Sequence, residues 1–152
     1  MTDPLQLEHF LPYRLSVLSN TISSAIAAGY SRQFDLSIPE WRVLAVLAIE
    51  PGLSAAEVAA RTAMDKVAVS RAVARLLRRG RIERSFARND RRRSELRLSH
   101  AGESVYREVV PLARRYESAL LEALEPHERT ALDTLLKRLR GRAVALLDTR
   151  SF

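Results

Sequence analysis

From Ser54 to Gly102 the chain reads SAAEVAARTAMDKVAVSRAVARLLRRGRIERSFARNDRRRSELRLSHAG, and the order of signals along it decides the fold. Ser54 with Glu57 three residues later is a capping box, which opens a short helix ending near Thr62. A tight turn leads to Asp65, a good N-cap for a second helix, Asp65–Arg79, whose Val69, Val73, Leu76 and Leu77 form an apolar stripe. Arg71, Arg75, Arg78 and Arg79 fall largely off that stripe, and Gly80 stops the helix. Residues 81–87 and 94–98 alternate in polarity with period two, as half-buried strands do. The six residues between them, Arg88-Asn89-Asp90-Arg91-Arg92-Arg93, make an arginine-packed hairpin tip. Helix, turn, helix and basic hairpin is a winged helix-turn-helix. Its second helix suits a major groove and its hairpin tip the neighbouring minor groove.

Outward from this stretch the chain is helical. Pro39 reads as the first position of a helix to Ile49, with Trp41, Leu44, Ala45, Leu47 and Ala48 on a broad apolar face closed by Pro51-Gly52. Residues 5–30 place Leu7, Leu11, Leu15, Leu18, Ile22, Ala25 and Ile26 at steps of three and four. The helix either starts at Pro12 or kinks there, and residues 31–37 read as a connector. Ser99 is placed to cap a long helix to about Glu125, which Pro111 either kinks or leaves intact. A last helix runs from Pro126 to about Asp148 through Leu132, Leu135, Leu136, Leu139, Val144 and Leu147. The expected fold is mainly α with a β-hairpin wing. It forms a single unit over residues 1–152, with a DNA-binding lobe at about 39–102 and helical dimerisation segments at about 5–30 and 103–150. The apolar stripes at both ends either cover each other and a second copy in a two-fold dimer, or fold back on a monomer.

Charge separates the lobe from the rest. Residues 61–97 hold twelve arginines and Lys66 against Asp65, Glu83, Asp90 and Glu95, a local +9 in a chain whose total is +7, so the remainder carries −2. Such concentration is the footprint of a polyanion partner. The chain has no cysteine, which excludes disulfides and thiolate metal sites. No apolar run reaches the ~18 residues of a membrane span. Asp3, Glu8 and Arg14 interrupt what would have to be a signal peptide, so a cytoplasmic location without membrane partners is expected.

The segment from Pro39 to Gly102 resembles the MarR family of bacterial transcriptional regulators. The resemblance is carried, in order and spacing, by Glu40-Trp41-Arg42-Val43-Leu44, Val58-Ala59, Asp65-Lys66-Val67-Ala68-Val69-Ser70-Arg71-Ala72-Val73, Leu76-Leu77-Arg78-Arg79-Gly80, Asp90-Arg91-Arg92 and Leu98-Ser99-His100-Ala101-Gly102. It implies a homodimer on a pseudo-palindromic operator, usually a repressor released by a small, often phenolic or aromatic, ligand. Two positions depart from the family's pattern. Ala63 stands where glycine is frequent, so this turn either avoids a left-handed backbone or accepts strain. Val67-Ala68 replaces a usual polar pair and leaves only apolar contact with thymine methyl groups.

Lys66, Ser70, Arg71 and Arg75 are therefore the expected recognition-helix contacts, and an arginine bidentate to guanine is worth ~1–3 kcal/mol of discrimination. The bland reading is a solvated helix face. In the wing, Asp90 is expected to pair with Arg92 and aim it into the minor groove, with Arg91 and Arg93 on phosphates. Arg84, Arg88 and Arg97 fit phosphate contact or plain surface charge equally. For an effector, His9, Tyr13, Arg14, Trp41 and Arg42 offer an aromatic wall with a cation. Against that stands core packing for Trp41, an interface role for Tyr13 and a salt bridge for Arg14. No catalytic residue, metal or cofactor is expected. His9, His100 and His127 lie far apart, and no phosphate loop or nucleophile motif appears. A winged helix that binds DNA or protein with little sequence preference is the competing reading.

Overall fold

The computed structural model describes residues 3–149. After a single 3-10 turn at Leu7–His9 come α1 (Leu11–Phe34), α2 (Ile38–Ile49), α3 (Ala55–Thr62), α4 (Lys66–Arg78), β1 (Ile82–Ala87), β2 (Asp90–Leu98), α5 (His100–Leu121) and α6 (Pro126–Thr149). The fold is mainly helical with one two-stranded antiparallel hairpin, as the sequence pattern predicts. The chain divides into two compact units whose boundary falls between Ala113 and Arg114.

Helix ends follow their local chemistry. Pro12 lies in the first turn of α1, where its missing N–H is not needed. Helix α1 runs past Gly29 to Phe34, so the connector shrinks to Asp35–Ser37; Asp35 ends the helix in the left-handed region (φ 47°). Helix α2 opens with a capping box that the sequence reading passed over. The Ser37 side chain accepts from the Glu40 amide at 3.3 Å, and the Ser37 amide donates to Glu40 Oε2 at 2.8 Å. Pro39, one residue inside the helix start, had drawn the boundary one position late. The foreseen box at α3 forms in the same way, with Ser54 and Glu57 exchanging bonds of 2.8 and 3.2 Å. That helix ends at Ala63 with φ 51° and ψ 33°, so the turn accepts a left-handed alanine, at a cost of roughly 1–2 kcal/mol. Helix α5 is continuous through Pro111.

One core holds the first unit together. Leu44 and Leu47 of α2, Val58 of α3, Val69, Val73 and Leu76 of α4, Ile82 and Leu96 of the hairpin and Val109 of α5 are all buried, with Tyr30 and Leu36. Burial of each such aliphatic side chain contributes about 1.5–3 kcal/mol, so α4 is fixed by its inner stripe and presents its outer face rigidly. The hairpin pairs Ile82 with Leu98 through Phe86 with Ser94, and then jumps to Ala87 with Asp90. Strand β2 thus begins at Asp90, and Arg91–Arg93, expected as part of an open tip, form an unpaired bulge inside it. At the hairpin's base Leu53 bridges to Leu96. There Ser99 caps α5 by accepting from the Gly102 amide at 3.1 Å. A Cβ on Gly102 would lie 1.9 Å from the Arg81 carbonyl oxygen, so only glycine lets α5 approach the hairpin this closely.

Each unit carries exposed apolar side chains on a terminal helix. Leu11, Leu15 and Leu18 of α1 are exposed, and so are Leu135, Leu136, Leu139 and Leu147 of α6. Among the described residues no helix is long and apolar enough to cross a membrane.

Candidate nucleic-acid interface

Helix α4 is opened by Asp65, whose carboxylate accepts from the Ala68 amide at 3.1 Å. The stripe Val69, Ala72, Val73 and Leu76 faces inward, which turns Lys66, Val67, Ser70, Arg71, Ala74 and Arg78 outward. Among the described residues Lys66, Ser70 and Arg71 have no hydrogen-bond or ionic partner. Their donors are free for a ligand. Val67, 54% exposed, offers the apolar surface expected of it. A cleft of about 300 Å³ separates this face from the start of α2, lined by Ser37, Pro39, Ala68, Arg71, Ala72 and Arg75.

Arg75 behaves differently from its neighbour four residues back. Its Nε lies 3.6 Å from Glu40 Oε1 and its Nη2 lies 4.0 Å from Asp35 Oδ1. Arg79 donates to the Asp35 carbonyl at 2.7 Å and also to its carboxylate, which holds the Asp35 pKa below the ordinary range. The sequence contains no local sign of these pairings.

In the wing the Asp90 carboxylate accepts from the Arg92 backbone amide at 2.9 Å, an Asx turn. The expected side-chain pair between Asp90 and Arg92 is not formed. Asp90 shapes the backbone instead and leaves the Arg92 guanidinium exposed and unpaired among the described residues. Arg93, expected beside a phosphate, donates to both oxygens of Glu57 at 3.0 and 3.3 Å. It thereby ties the bulge to the capping box of α3. The Glu57 pKa is held below its ordinary value, first by the Ser54 amide, then by the Ser54 side chain and after that by Arg93. Arg84 and Arg88 are exposed without partners among the described residues, while Arg97 pairs with Glu95 at 3.4 Å. The Arg91 side chain lies outside the described part of the structure.

The five residues expected around an effector are not brought together within one chain. Trp41 packs between Tyr30 and Tyr106, with ring centroids 5.9 and 5.7 Å away, and Arg42 donates to Ser23 Oγ at 3.0 Å. Both line a cavity of about 90 Å³ with Ser23, Ile26, Tyr30 and Ile38. Burial pushes the Tyr30 pKa to about 12, against the opposing pull of Arg42. His9, Tyr13 and Arg14 stand exposed at the other end of α1. The reason is length, since twelve helical residues from Arg14 to Ile26 span roughly 18 Å. A larger groove of about 410 Å³, absent from the sequence reading, is lined by Leu47, Pro51, Arg97, Leu98, Tyr106 and Arg107 among others.

Comparison with known proteins agrees with this geometry. The MarR family's sequence profile matches residues 34–93. The HTH-type transcriptional regulator BilQ of Clostridium symbiosum is 33% identical over 90 residues, which is 59% of this chain and 62%, or about three-fifths, of that relative. A MarR/EmrR family regulator from Acinetobacter sp. ADP1 superposes with a TM-score of 0.84 at 27% identity, covering 93% of this chain and 99% of that one. Bordetella bronchiseptica BpsR, whose DNA binding is regulated by 6-hydroxynicotinic acid, superposes with a TM-score of 0.78 at 25% identity, covering 91% and 98%.

Proposed function

We propose that the chain is a member of the MarR family, which its profile match, its relative and its fold support, and on that premise that it is a sequence-specific DNA-binding transcriptional regulator rather than an enzyme. It acts as a homodimer on a pseudo-palindromic operator, as a repressor that a small aromatic ligand releases. The observation that carries the reading is the outer face of α4. Lys66, Ser70 and Arg71 stand there with donors unpaired among the described residues, and Arg92 adds a guanidinium on the wing that is likewise unpaired among them. Recognition helices of a two-fold dimer would enter successive major grooves ~34–36 Å apart, with the wings in flanking minor grooves. Arg93 belongs to the same surface, partly neutralised by Glu57.

Uncovered apolar stripes on α1 and α6 support the dimer, because monomeric proteins rarely leave contiguous apolar faces in water. For the ligand, volume favours the larger groove. A site of ~300–1,000 Å³ is usual for small molecules, which the 410 Å³ groove meets and the 90 Å³ cavity does not. Arg97 and Arg107 would meet a carboxylate and Tyr106 a ring. Trp41 would back that tyrosine, and Arg42 would lie behind it. His9, Tyr13 and Arg14 would join such a site only from a second copy. BpsR's response to an aromatic acid supports the ligand class.

The test is anisotropy of the purified protein on duplexes from its own upstream intergenic region and on scrambled duplexes, at two salt concentrations. A preference of ~10³ or more for one duplex is expected. Equal and steeply salt-dependent binding to every duplex would overturn the sequence-specific reading. Addition of 6-hydroxynicotinic acid to the preferred complex then probes release.

A further inference from the structure

Residues 34–40 and residues 75–81 meet across long sequence separations. Arg79 reaches Asp35 across 44 residues, and Arg81 donates to the Phe34 carbonyl across 47. Arg75 approaches both acids of the segment, Asp35 and Glu40. Three arginines at the end of α4 and just beyond it thus clasp the junction between α1 and α2.

Glu40 is the informative member. It is fully buried. Its Oε2 accepts from the Ser37 amide, whereas Oε1 has no hydrogen bond among the described residues and faces Arg75, its one counter-ion among them. Capping alone does not require this burial. The second box in the molecule uses Glu57 in the same way, with that residue partly open to water. A carboxylate removed from water without compensation is strongly unfavourable, so the burial of Glu40 makes the position of Arg75 matter. Arg75 in turn sits on α4 one turn beyond Arg71, which has no partner of its own among the described residues.

We infer that Arg75 is a positioning residue rather than a base reader. Glu40 holds it so that the α1–α2 junction fixes the angle of α4, and discrimination between DNA sequences depends on that hold. The inference rests on the DNA-binding reading above. Base contacts tolerate misplacement of only about 0.5 Å, so a helix angle set from its far end reaches the residues that read. Glu40, being buried, does not reach DNA itself and would influence DNA choice through the elements it holds.

Four proteins test it: wild type, Glu40→Gln, Arg75→Gln and the double variant. Each is titrated on the duplex that wild type selects from a random library and on a scrambled duplex, across a salt series. Each is also unfolded thermally without DNA. Either single change is expected to cut the preference for the selected duplex about tenfold. The double variant should be no worse than either, with the salt dependence unchanged and the thermal losses equally non-additive. Arg75→Gln lowering the log–log salt slope by about one, with Glu40→Gln leaving the preference intact, would make Arg75 a phosphate contact and overturn the inference. Additive thermal losses overturn it as well. Should wild type prefer no duplex, the DNA reading itself fails and the thermal cycle alone decides the clasp. If Glu40→Gln does not fold, Arg75→Lys replaces it. Loss of preference at full salt slope is then expected, and unchanged preference overturns the inference.

Discussion

The two ends of α4 carry the same kind of residue in opposite states. Toward the N-terminus Lys66, Ser70 and Arg71 have nothing to bind within the described chain. Toward the C-terminus Arg75 and Arg79, followed by Arg81, are engaged by Asp35, Glu40 and the Phe34 carbonyl. A helix that must place a few side chains to within a fraction of an ångström needs both states. One end must be held so that the other can present its groups at a fixed angle. The comparison can be broken from either side, because changes at the held end should act on stability, and on DNA choice through the angle of α4, whereas changes at the free end should act on DNA alone.

The largest effect is expected at the held end. The Arg81 carbonyl lies where a Cβ on Gly102 would have to go, and a backbone oxygen 1.9 Å away cannot rotate aside as a side chain could. Gly102→Ala should destabilise the protein by about 3 kcal/mol, the upper end of overpacking costs. Thermal unfolding reads this directly. A midpoint unchanged from wild type would mean that α5 and the hairpin base are loosely joined, and that the held end is not held from this side.

At the free end the effects belong to binding. Arg71→Ala should leave the thermal midpoint alone and narrow the gap between operator and random DNA by ~1–3 kcal/mol. An unchanged ratio with a smaller salt slope would reduce Arg71 to a phosphate clamp. Arg92→Ala should weaken operator binding more than about tenfold, again without unfolding, if its exposed guanidinium enters a narrow minor groove. Near-native affinity in that variant would remove the wing tip from the interface and leave α4 to act alone.

These two ends were not equally legible in the sequence. The free end follows from periodicity: once Val69, Val73 and Leu76 face inward, Lys66, Ser70 and Arg71 must face out. Capping boxes are local as well, and Ser37 with Glu40 carries the same spacing as Ser54 with Glu57. The held end depends on partners more than thirty residues away, which no local pattern encodes. The bulge at Arg91–Arg93 escaped for a related reason. Three consecutive arginines break the alternation that marks a strand, although the backbone continues as one. The effector residues scattered because proximity to the start of a helix says nothing about which end of that helix is packed.

Between α3 and α4 the comparison meets a strained hinge. Ala63 holds a left-handed backbone that glycine adopts freely. Ala63→Gly should therefore stabilise the fold by about 1 kcal/mol despite the greater freedom it gives the unfolded chain. Urea unfolding measures the change. A loss of stability would show that the methyl group contributes packing worth more than the strain. Operator preference in the same variant should be unaltered if α4 takes its angle from its C-terminal end.

The smallest expected effect concerns pH, and it singles out Asp35. Arg79 lowers its folded-state pKa, chiefly through their hydrogen bond and then through charge, with Arg75 and Arg81 adding less. A carboxyl whose folded pKa lies below its unfolded value stabilises the fold above the unfolded pKa, near ~3.9. That contribution fades as the pH falls through the lowered folded value. Acidification should accordingly shrink the stability difference between wild type and Asp35→Asn, measured by urea unfolding at pH 6 and again at pH 3. Asp35 is exposed, so water screens the pair and the difference should be modest even at pH 6. A difference that stays constant across that range would mean that the aspartate acts through its left-handed backbone and its carbonyl rather than its charge. The clasp would then rest on Glu40 and the two main-chain oxygens, with the Asp35 charge contributing nothing to it.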